Sequence, residues 1–222
     1  MTKQEVCARI EQIGIIPAVR VHSAEDARFA AATVNRGGIP IVEITVTVPE
    51  AIEVISDLNR AHPDMIVGAG TVLDIETAKR CFDAGAKFLT NPGLVLEVVE
   101  FAAKHGIAVL PGALTPTEVI TAWKAGADFV KVFPCAQVGG DSYIRALKAP
   151  LPQIPLIAAG GVNQQTALNF ILAGATALGI GGQLIPREAL QHRLAEHILE
   201  LARRFTKLVK EARGRMKSVS SE

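Results

Sequence analysis

The chain has 222 residues, of which 49% are apolar and 20% are charged, and its formal net charge is +1. This length and apolar content suit one α/β domain with a large core, so we predict that residues 1–222 form a single domain. The near-neutral charge and the 5% of aromatic residues argue against nucleic acid or a membrane as a partner.

Short apolar runs alternate with helical patterns along the chain. An amphipathic helix over residues 1–14 comes first, and the runs that follow it are typical of buried strands. The eight runs are Ile15–Val21, Ile41–Val46, Ile66–Val72, Phe88–Thr90, Ala108–Leu110, Phe129–Phe133, Leu156–Ala159 and Ala177–Ile180. Helices are predicted between them, and a long helix over Glu188–Ala212 precedes a polar tail over Arg213–Glu222.

Strict alternation of strand and helix indicates a parallel sheet, and eight such units close into a (β/α)8 barrel, the TIM-barrel fold. An open doubly wound sheet is the alternative. That fold would place a glycine-rich turn after the first strand, whereas residues Val19–Ser23 contain no glycine. The segment Gln164–Ala173 carries no charge, so we expect this helix to pack against another subunit.

Three charged residues lie within or at the end of the apolar runs. Arg20 is near the end of the first, Glu43 is inside the second and Lys131 is inside the sixth. Barrel layers take their side chains from alternate strands, and the second and sixth strands face each other, so Glu43 and Lys131 are predicted to meet near the axis. Since a buried ion pair rarely stabilises a protein more than apolar packing does, a functional interpretation is favoured over a structural one.

A lysine beside a carboxylate in a dry site suggests covalent chemistry. Burial disfavours the charged form of a lysine, and a neutral amine is a nucleophile. We predict that Lys131 attacks a ketone to form a Schiff base, and that Glu43 moves the protons. No metal or other cofactor is predicted, because the five histidines form neither a helical metal pair nor a cluster with carboxylates.

Glycine pairs follow the last two predicted strands. Gly160 and Gly161 come after the seventh, and Gly181 and Gly182 come after the eighth. Phosphate sites in such barrels commonly form from these two loops, and glycine lets backbone N–H groups approach an anion. Two tight turns that need glycine are the structural alternative. The double pair favours a phosphate site.

The cysteines and the N-terminal residues indicate the cellular compartment of the protein. Cys7, Cys81 and Cys135 are odd in number, far apart and without a CxxC pair, which argues against a disulfide framework. The opening MTKQEVCARIEQIG is typical of a polar helix rather than a signal peptide. We therefore expect a cytoplasmic protein. Cys135 lies near the predicted mouth of the site, where a bystander thiol is the favoured interpretation.

Several longer motifs occur in one order across nearly the whole chain. They are IVEITVTVP (41–49), VGAGTV (67–72), NPG (91–93), PGALTPTE (111–118), FVKVFP (129–134) and GGVN (160–163). With these motifs the chain resembles the aldolases of 2-keto-3-deoxy-6-phosphogluconate (KDPG) and 4-hydroxy-2-oxoglutarate (KHG). That family consists of class I, Schiff-base aldolases, which need no metal.

The resemblance implies a role for each candidate residue. Lys131 would be the Schiff-base lysine and Glu43 the general acid and base, acting through water. The other assignments are Arg20 and Thr71 to the carboxylate end, Thr47, Pro92 and Phe133 to the substrate pocket, and Gly160, Gly161, Gly181 and Gly182 to phosphate. The resemblance also implies cleavage to pyruvate and glyceraldehyde 3-phosphate, a homotrimer, and a place in the Entner–Doudoroff pathway.

Some positions depart from the pattern of the family. Some members have arginine where this chain has Thr47, and many members for the gluconate epimer have Pro-Thr where it has Ala158-Ala159. A serine commonly follows the second glycine pair, where this chain has Gln183. An aldolase for the galactonate epimer is therefore one alternative. A barrel isomerase or synthase for a phosphorylated substrate is another, and a barrel that binds a ligand without turnover is a third.

Overall fold

The computed structural model describes residues 1–219. Nine short strands form its centre: β1 (Ile15–Val19), β2 (Ile41–Thr45), β3 (Ile66–Gly70), β4 (Phe88–Thr90), β5 (Ala108–Leu110), β6 (Gly112–Ala113), β7 (Val130–Val132), β8 (Leu156–Ala159) and β9 (Ala175–Ile180). Nearly all of their residues are buried, as a parallel sheet covered by helices requires.

Ten α-helices accompany the strands within this part of the chain. They are α1 (Lys3–Ile13), α2 (Ala24–Arg36), α3 (Ala51–Ala61), α4 (Ile75–Asp83), α5 (Leu96–His105), α6 (Pro116–Lys124), α7 (Asp141–Lys148), α8 (Ala167–Leu172), α9 (Arg187–Gln191) and α10 (Ala195–Val219). Side-chain caps fix where several of them begin; for example, Ser23 Oγ accepts a hydrogen bond from the Asp26 amide at the start of α2. None of the helices within residues 1–219 is long and apolar enough to cross a membrane.

The sheet is nearly closed, which confirms the predicted barrel and makes the open-sheet alternative wrong. Its strand order is β5-β4-β3-β2-β1-β9-β8-β7-β6, with every pair parallel. The two end strands, β5 and β6, are separated in the chain by Pro111 alone. Proline has no amide hydrogen for a strand ladder, so the fifth predicted strand is followed here by a second short one that the sequence pattern did not predict.

Two apolar clusters hold the barrel together. One lies inside it and consists of Ile16, Ile41, Ile66, Phe88, Ala108, Leu110, Phe129, Ile157 and Ala177, with Val6 and Ile10 of α1. The other lies between the strands and the surrounding helices. Because α1 packs on the inner cluster, it covers the end of the barrel where the strands begin. The carboxyl ends of the strands are left for the site.

The C-terminal region differs from the prediction. The helix predicted over Glu188–Ala212 is two helices, α9 and α10, because Arg193 between them has a φ of 52° and forms ion pairs with Glu25 and Asp26. The second helix continues to Val219, so Arg213–Val219 of the predicted polar tail is helical. Residues 220–222 lie outside the described part of the chain.

The uncharged helix near the C-terminus has a partner within the same chain. Its residues Ala167, Phe170 and Ile171 are buried, and α8 packs against α10. Another subunit is therefore not needed to bury these residues, and a subunit contact of this helix stays a prediction. The final helix, which is long enough to reach it, supplies the apolar cover.

Candidate active site

Lys131 and Glu43 lie together inside the barrel, as predicted. The Nζ atom of Lys131 on β7 is 3.7 Å from Oε2 of Glu43 on β2, and the two side chains are 12% and 5% exposed. The amine also donates a hydrogen bond of 3.4 Å to Oγ1 of Thr90, and it lies 5.5 Å from the centre of the Phe133 ring. The amine is thus surrounded by one carboxylate, one hydroxyl and one aromatic ring.

Two glycines leave space that the site and its surroundings use. Gly70 is the neighbour of Thr45 on β2 and of Thr90 on β4. A Cβ atom at Gly70 would lie 2.1 Å from Oε1 of Glu43, so the carboxylate occupies the space that a side chain would fill. Gly112 is the neighbour of Lys131, and a Cβ atom there would lie 2.3 Å from the Pro92 backbone.

A cavity of about 500 Å³ begins at this pair, a volume within the usual range for small-molecule sites. Eight of the predicted site residues line it: Arg20, Glu43, Lys131, Phe133, Gly160, Gly161, Gly181 and Gly182. The sequence interpretation did not assign Ala18, Val21, Val162, Gly179 and Ile185, which also line it. These small or apolar residues carry no chemical signal in the sequence.

Thr71 reaches the site through Arg20 rather than by lining the cavity. Nη2 of Arg20 donates a hydrogen bond of 3.5 Å to Oγ1 of Thr71. Thr71 has a φ of 61°, an uncommon and strained conformation for a β-branched residue. The flanking backbone holds it there, because the Val46 amide donates to the Gly70 carbonyl and the Val72 amide donates to the Thr90 carbonyl.

Two other predicted site residues lie outside the cavity wall. Thr47 is exposed, and its hydroxyl is 2.9 Å from that of Thr45. The Thr45 hydroxyl already donates to the Val19 carbonyl, so Thr47 is the donor between them. Pro92 is half-buried, and its backbone packs on Gly112. Both residues are therefore near the rim, with Pro92 adjacent to the strand pair that carries Lys131.

The glycine pairs shape the far wall of the cavity. Gly160 and Gly161 have φ values of 81° and 87°, a left-handed conformation that glycine adopts without strain. No protein group within residues 1–219 accepts a hydrogen bond from the N–H of Gly161 or Gly182. Gly182 also has no atom within 4 Å of the position of a Cβ. The wall therefore offers free N–H donors and open space to an anion.

Three further polar side chains lie near the site: one lines the cavity, one is a buried thiol and one is a buried amide. Gln183 is exposed and lines the cavity beside Gly182. Burial raises the pKa of the Cys135 thiol to about 12, with a smaller contribution from Asp141, so this thiol is no nucleophile at neutral pH. Asn91, fully buried, donates through Nδ2 to the Val72 carbonyl, while its Oδ1 has no partner in the described structure. The sequence interpretation did not single out Asn91 or Thr90.

Comparisons with known proteins give one consistent result. A family model described as KDPG and KHG aldolase matches residues 6–201. The chain is 31% identical to 2-dehydro-3-deoxy-phosphogluconate aldolase of Treponema pallidum over 82% of this chain and 86% of that protein. It is 34% identical to 2-dehydro-3-deoxy-6-phosphogalactonate aldolase of Escherichia coli over 81% of this chain and 91% of that protein.

A solved structure agrees with these relatives. KDPG aldolase from Legionella pneumophila, which has pyruvate captured as a covalent carbinolamine intermediate, matches with a TM-score of 0.81 and 29% identity. The match covers 89% of this chain and 96% of that one.

Proposed function

Since the chain belongs to the KDPG and KHG aldolase family, we propose that it cleaves a 2-keto-3-deoxy-6-phospho sugar acid through a Schiff base on Lys131. The products are pyruvate and glyceraldehyde 3-phosphate. KHG, which would give pyruvate and glyoxylate, is a second substrate. The observation that carries the proposal is the buried contact between Lys131 and Glu43 at the wall of the cavity.

The reaction needs one nucleophile and one proton carrier. The neutral Lys131 amine attacks the keto carbon C2, the carbinolamine loses water, and the protonated imine draws electrons from the C3–C4 bond. Cleavage of that bond requires the C4 hydroxyl to lose a proton, and the C3 carbon gains one before hydrolysis releases pyruvate. Glu43 carries these protons. Its 3.7 Å separation from Nζ exceeds a hydrogen bond, so a bridging oxygen takes part.

The two ends of the substrate have different partners. Arg20, held against Thr71, supplies a guanidinium for the carboxylate next to the ketone. Phe133 lines the cavity at that end, and Thr47 and Pro92 lie near its rim. The phosphate binds at Gly160, Gly161, Gly181 and Gly182, where free N–H groups neutralise it without a cationic side chain. Binding both ends holds the C3–C4 bond beside Glu43.

Borohydride trapping with pyruvate tests the proposal. Borohydride reduces an imine to a stable amine, so the protein should gain the mass of one reduced pyruvate adduct. Peptide mapping should locate this adduct on Lys131. Lys131→Ala should lose both the adduct and the cleavage activity. Glu43→Gln should form the adduct slowly and should cleave substrate slowly as well, because proton transfer typically contributes about 10²–10⁴-fold. An adduct on another lysine, or none, would contradict the assignment.

The galactonate epimer is a second candidate substrate because the cavity wall carries Ala159 rather than a hydroxyl-bearing residue. Hydroxyl recognition separates epimers at C4, and the methyl group of Ala159 offers no hydrogen bond to either of them. Cleavage rates for the two epimeric phosphosugar acids, measured side by side, distinguish the candidates. A clearly higher cleavage rate for the galactonate epimer would favour this second candidate substrate.

The proposal includes a homotrimer. Leu73, Ile75 and Leu96 are apolar and 54%, 38% and 45% exposed on consecutive units of the barrel, which is the kind of surface that subunits cover. Light scattering should give three times the chain mass of 23.5 kDa. A monomer at micromolar concentration would contradict this.

The cytoplasmic location and the Entner–Doudoroff pathway stay predictions of the resemblance.

A further inference from the structure

Thr90 touches the reacting nitrogen, although nothing in its sequence context marks it as functional. Its Oγ1 atom accepts the 3.4 Å hydrogen bond from Lys131 Nζ, and the residue is 1% exposed at the end of β4. We propose that Thr90 is a third catalytic group, whose hydroxyl relays a proton from the Lys131 nitrogen to the substrate oxygen. This inference rests on the function proposed above and adds a residue to it.

The hydroxyl of Thr90 is used differently from those of the other buried threonines. Thr33 Oγ1 donates to the Phe29 carbonyl at 2.7 Å, and Thr45 Oγ1 donates to the Val19 carbonyl at 3.0 Å. Such bonds satisfy a buried hydroxyl locally and leave it no proton to give. Within residues 1–219, no main-chain carbonyl accepts from Thr90 Oγ1, and its hydrogen-bond partner is the amine.

The barrel keeps the space around this hydroxyl clear. Thr90 pairs with Gly70 on one side and with Leu110 on the other. Gly70 has no side chain that would separate Thr90 from the Glu43 carboxylate. Glu43, Thr90 and Lys131 therefore form one polar group in an otherwise apolar interior. A hydroxyl in this position can accept one proton and donate another.

Carbinolamine formation needs that exchange. As the bond between Nζ and C2 forms and the carbonyl π bond breaks, the nitrogen must lose a proton and the oxygen must gain one. The Thr90 hydroxyl accepts the nitrogen's proton and releases its own to the oxygen, so the threonine ends unchanged and no other reactant is consumed. Loss of water then needs a further proton on the departing oxygen and leaves the imine protonated, and Glu43 supplies that proton. Glu43 remains the carrier for the later C3–C4 cleavage.

The test compares substitutions that keep the shape of residue 90 and remove or retain its hydroxyl. Thr90→Val should slow adduct formation with pyruvate by about tenfold to a hundredfold, since a positioned proton carrier is lost while Glu43 remains as a slower route. Rapid quenching in borohydride followed by mass analysis gives this rate. The pyruvate concentration for half-maximal rate should change little, because Arg20 and Thr71 are intact. Thr90→Ser should restore a rate close to that of the wild type.

Thr33→Val is the matched control, because it removes an equally buried hydroxyl on α2, away from the cavity. It should react at the wild-type rate. Thermal melting checks that each variant is folded, and a Thr90→Ala and Thr90→Ser pair gives the same comparison if the valine does not fold. A Thr90→Val rate equal to the wild type, or a serine variant as slow as the valine one, would overturn the inference. Absence of the adduct from the wild-type protein would instead refute the proposed function itself.

Discussion

Gly70→Ala is the most direct way to test whether the position of Glu43 matters. Gly70 lies in a strand, and its φ is outside the left-handed region, so the backbone can accept alanine there. The new Cβ atom would lie 2.1 Å from Oε1, 2.6 Å from Cδ and 2.6 Å from Cγ of Glu43. The clash thus involves the stem of the side chain as well as its end.

The magnitude follows from how far Glu43 must move. Carbon atoms pack at about 3.5–4.0 Å, so Cγ must withdraw by about 1 Å or more, which a rotation of the carboxylate alone cannot achieve. A misplacement of about 1 Å commonly costs about 10²-fold in rate, and we expect kcat to fall by that factor. Overpacking costs about 1–3 kcal/mol, and replacing glycine recovers about 0.4–1 kcal/mol through the unfolded state. The free energy of unfolding should therefore decrease by about 1–2 kcal/mol.

Pyruvate release under substrate saturation measures kcat, and urea unfolding measures stability. Gly214→Ala is the control, since a Cβ at Gly214 meets no atom within 4 Å and the residue lies in α10, far along the chain from the site. That variant should keep its activity and gain up to about 1 kcal/mol from helix propensity. Wild-type kcat in Gly70→Ala would show that the carboxylate can move without consequence, and the geometric argument for Glu43 would fail.

Three further predictions concern stability and thiol chemistry. Thr115 and Glu118 form a capping box on α6, and Thr115→Ala should cost about 1 kcal/mol in urea unfolding. Hydrogen bonds from the Leu114 and Thr115 amides and from the Thr115 hydroxyl lower the pKa of Glu118, so its contribution is present above its unfolded-state pKa. That contribution is lost as the pH falls through the folded value, and Glu118→Gln should therefore approach wild-type stability in acid. Burial raises the pKa values of Cys7 and Cys135 to about 12, so iodoacetamide at pH 8 should label them only after unfolding.

The barrel and its central pair could be predicted because their signals are local. Alternating apolar runs and helical patterns specify a parallel sheet, and a charge inside an apolar strand has few structural explanations. Lys131 and Glu43 can therefore be identified from the sequence alone. The break before α10 gave no such signal. The apolar residues Leu190, Leu194 and Ile198 keep a helical spacing across this break. The spacing therefore predicts one continuous helix and does not indicate the positive φ of Arg193.

Thr90 could not be predicted as a site residue, for a different reason. Threonine is common in strands, and a neutral hydroxyl neither disturbs an apolar pattern nor indicates a partner. Its significance depends on Lys131, which is distant in the chain, and on Gly70, which leaves room for the Glu43 carboxylate beside it. Residues whose role arises from the packing around them are the ones that a pattern along one strand cannot reveal.

The barrel assigns chemistry and substrate choice to different strands. The proposed reacting groups come from β2, β4 and β7, and Gly70 leaves room for the Glu43 carboxylate among them. The wall that faces the rest of the substrate comes from the ends of β8 and β9, and Ala159 and Gln183 lie there. Pyruvate has no atoms beyond C3, so its adduct depends on the first group and on Arg20 rather than on this wall. We therefore expect substitutions at Ala159 and Gln183 to change which sugar acid is cleaved while the pyruvate adduct still forms at the wild-type rate.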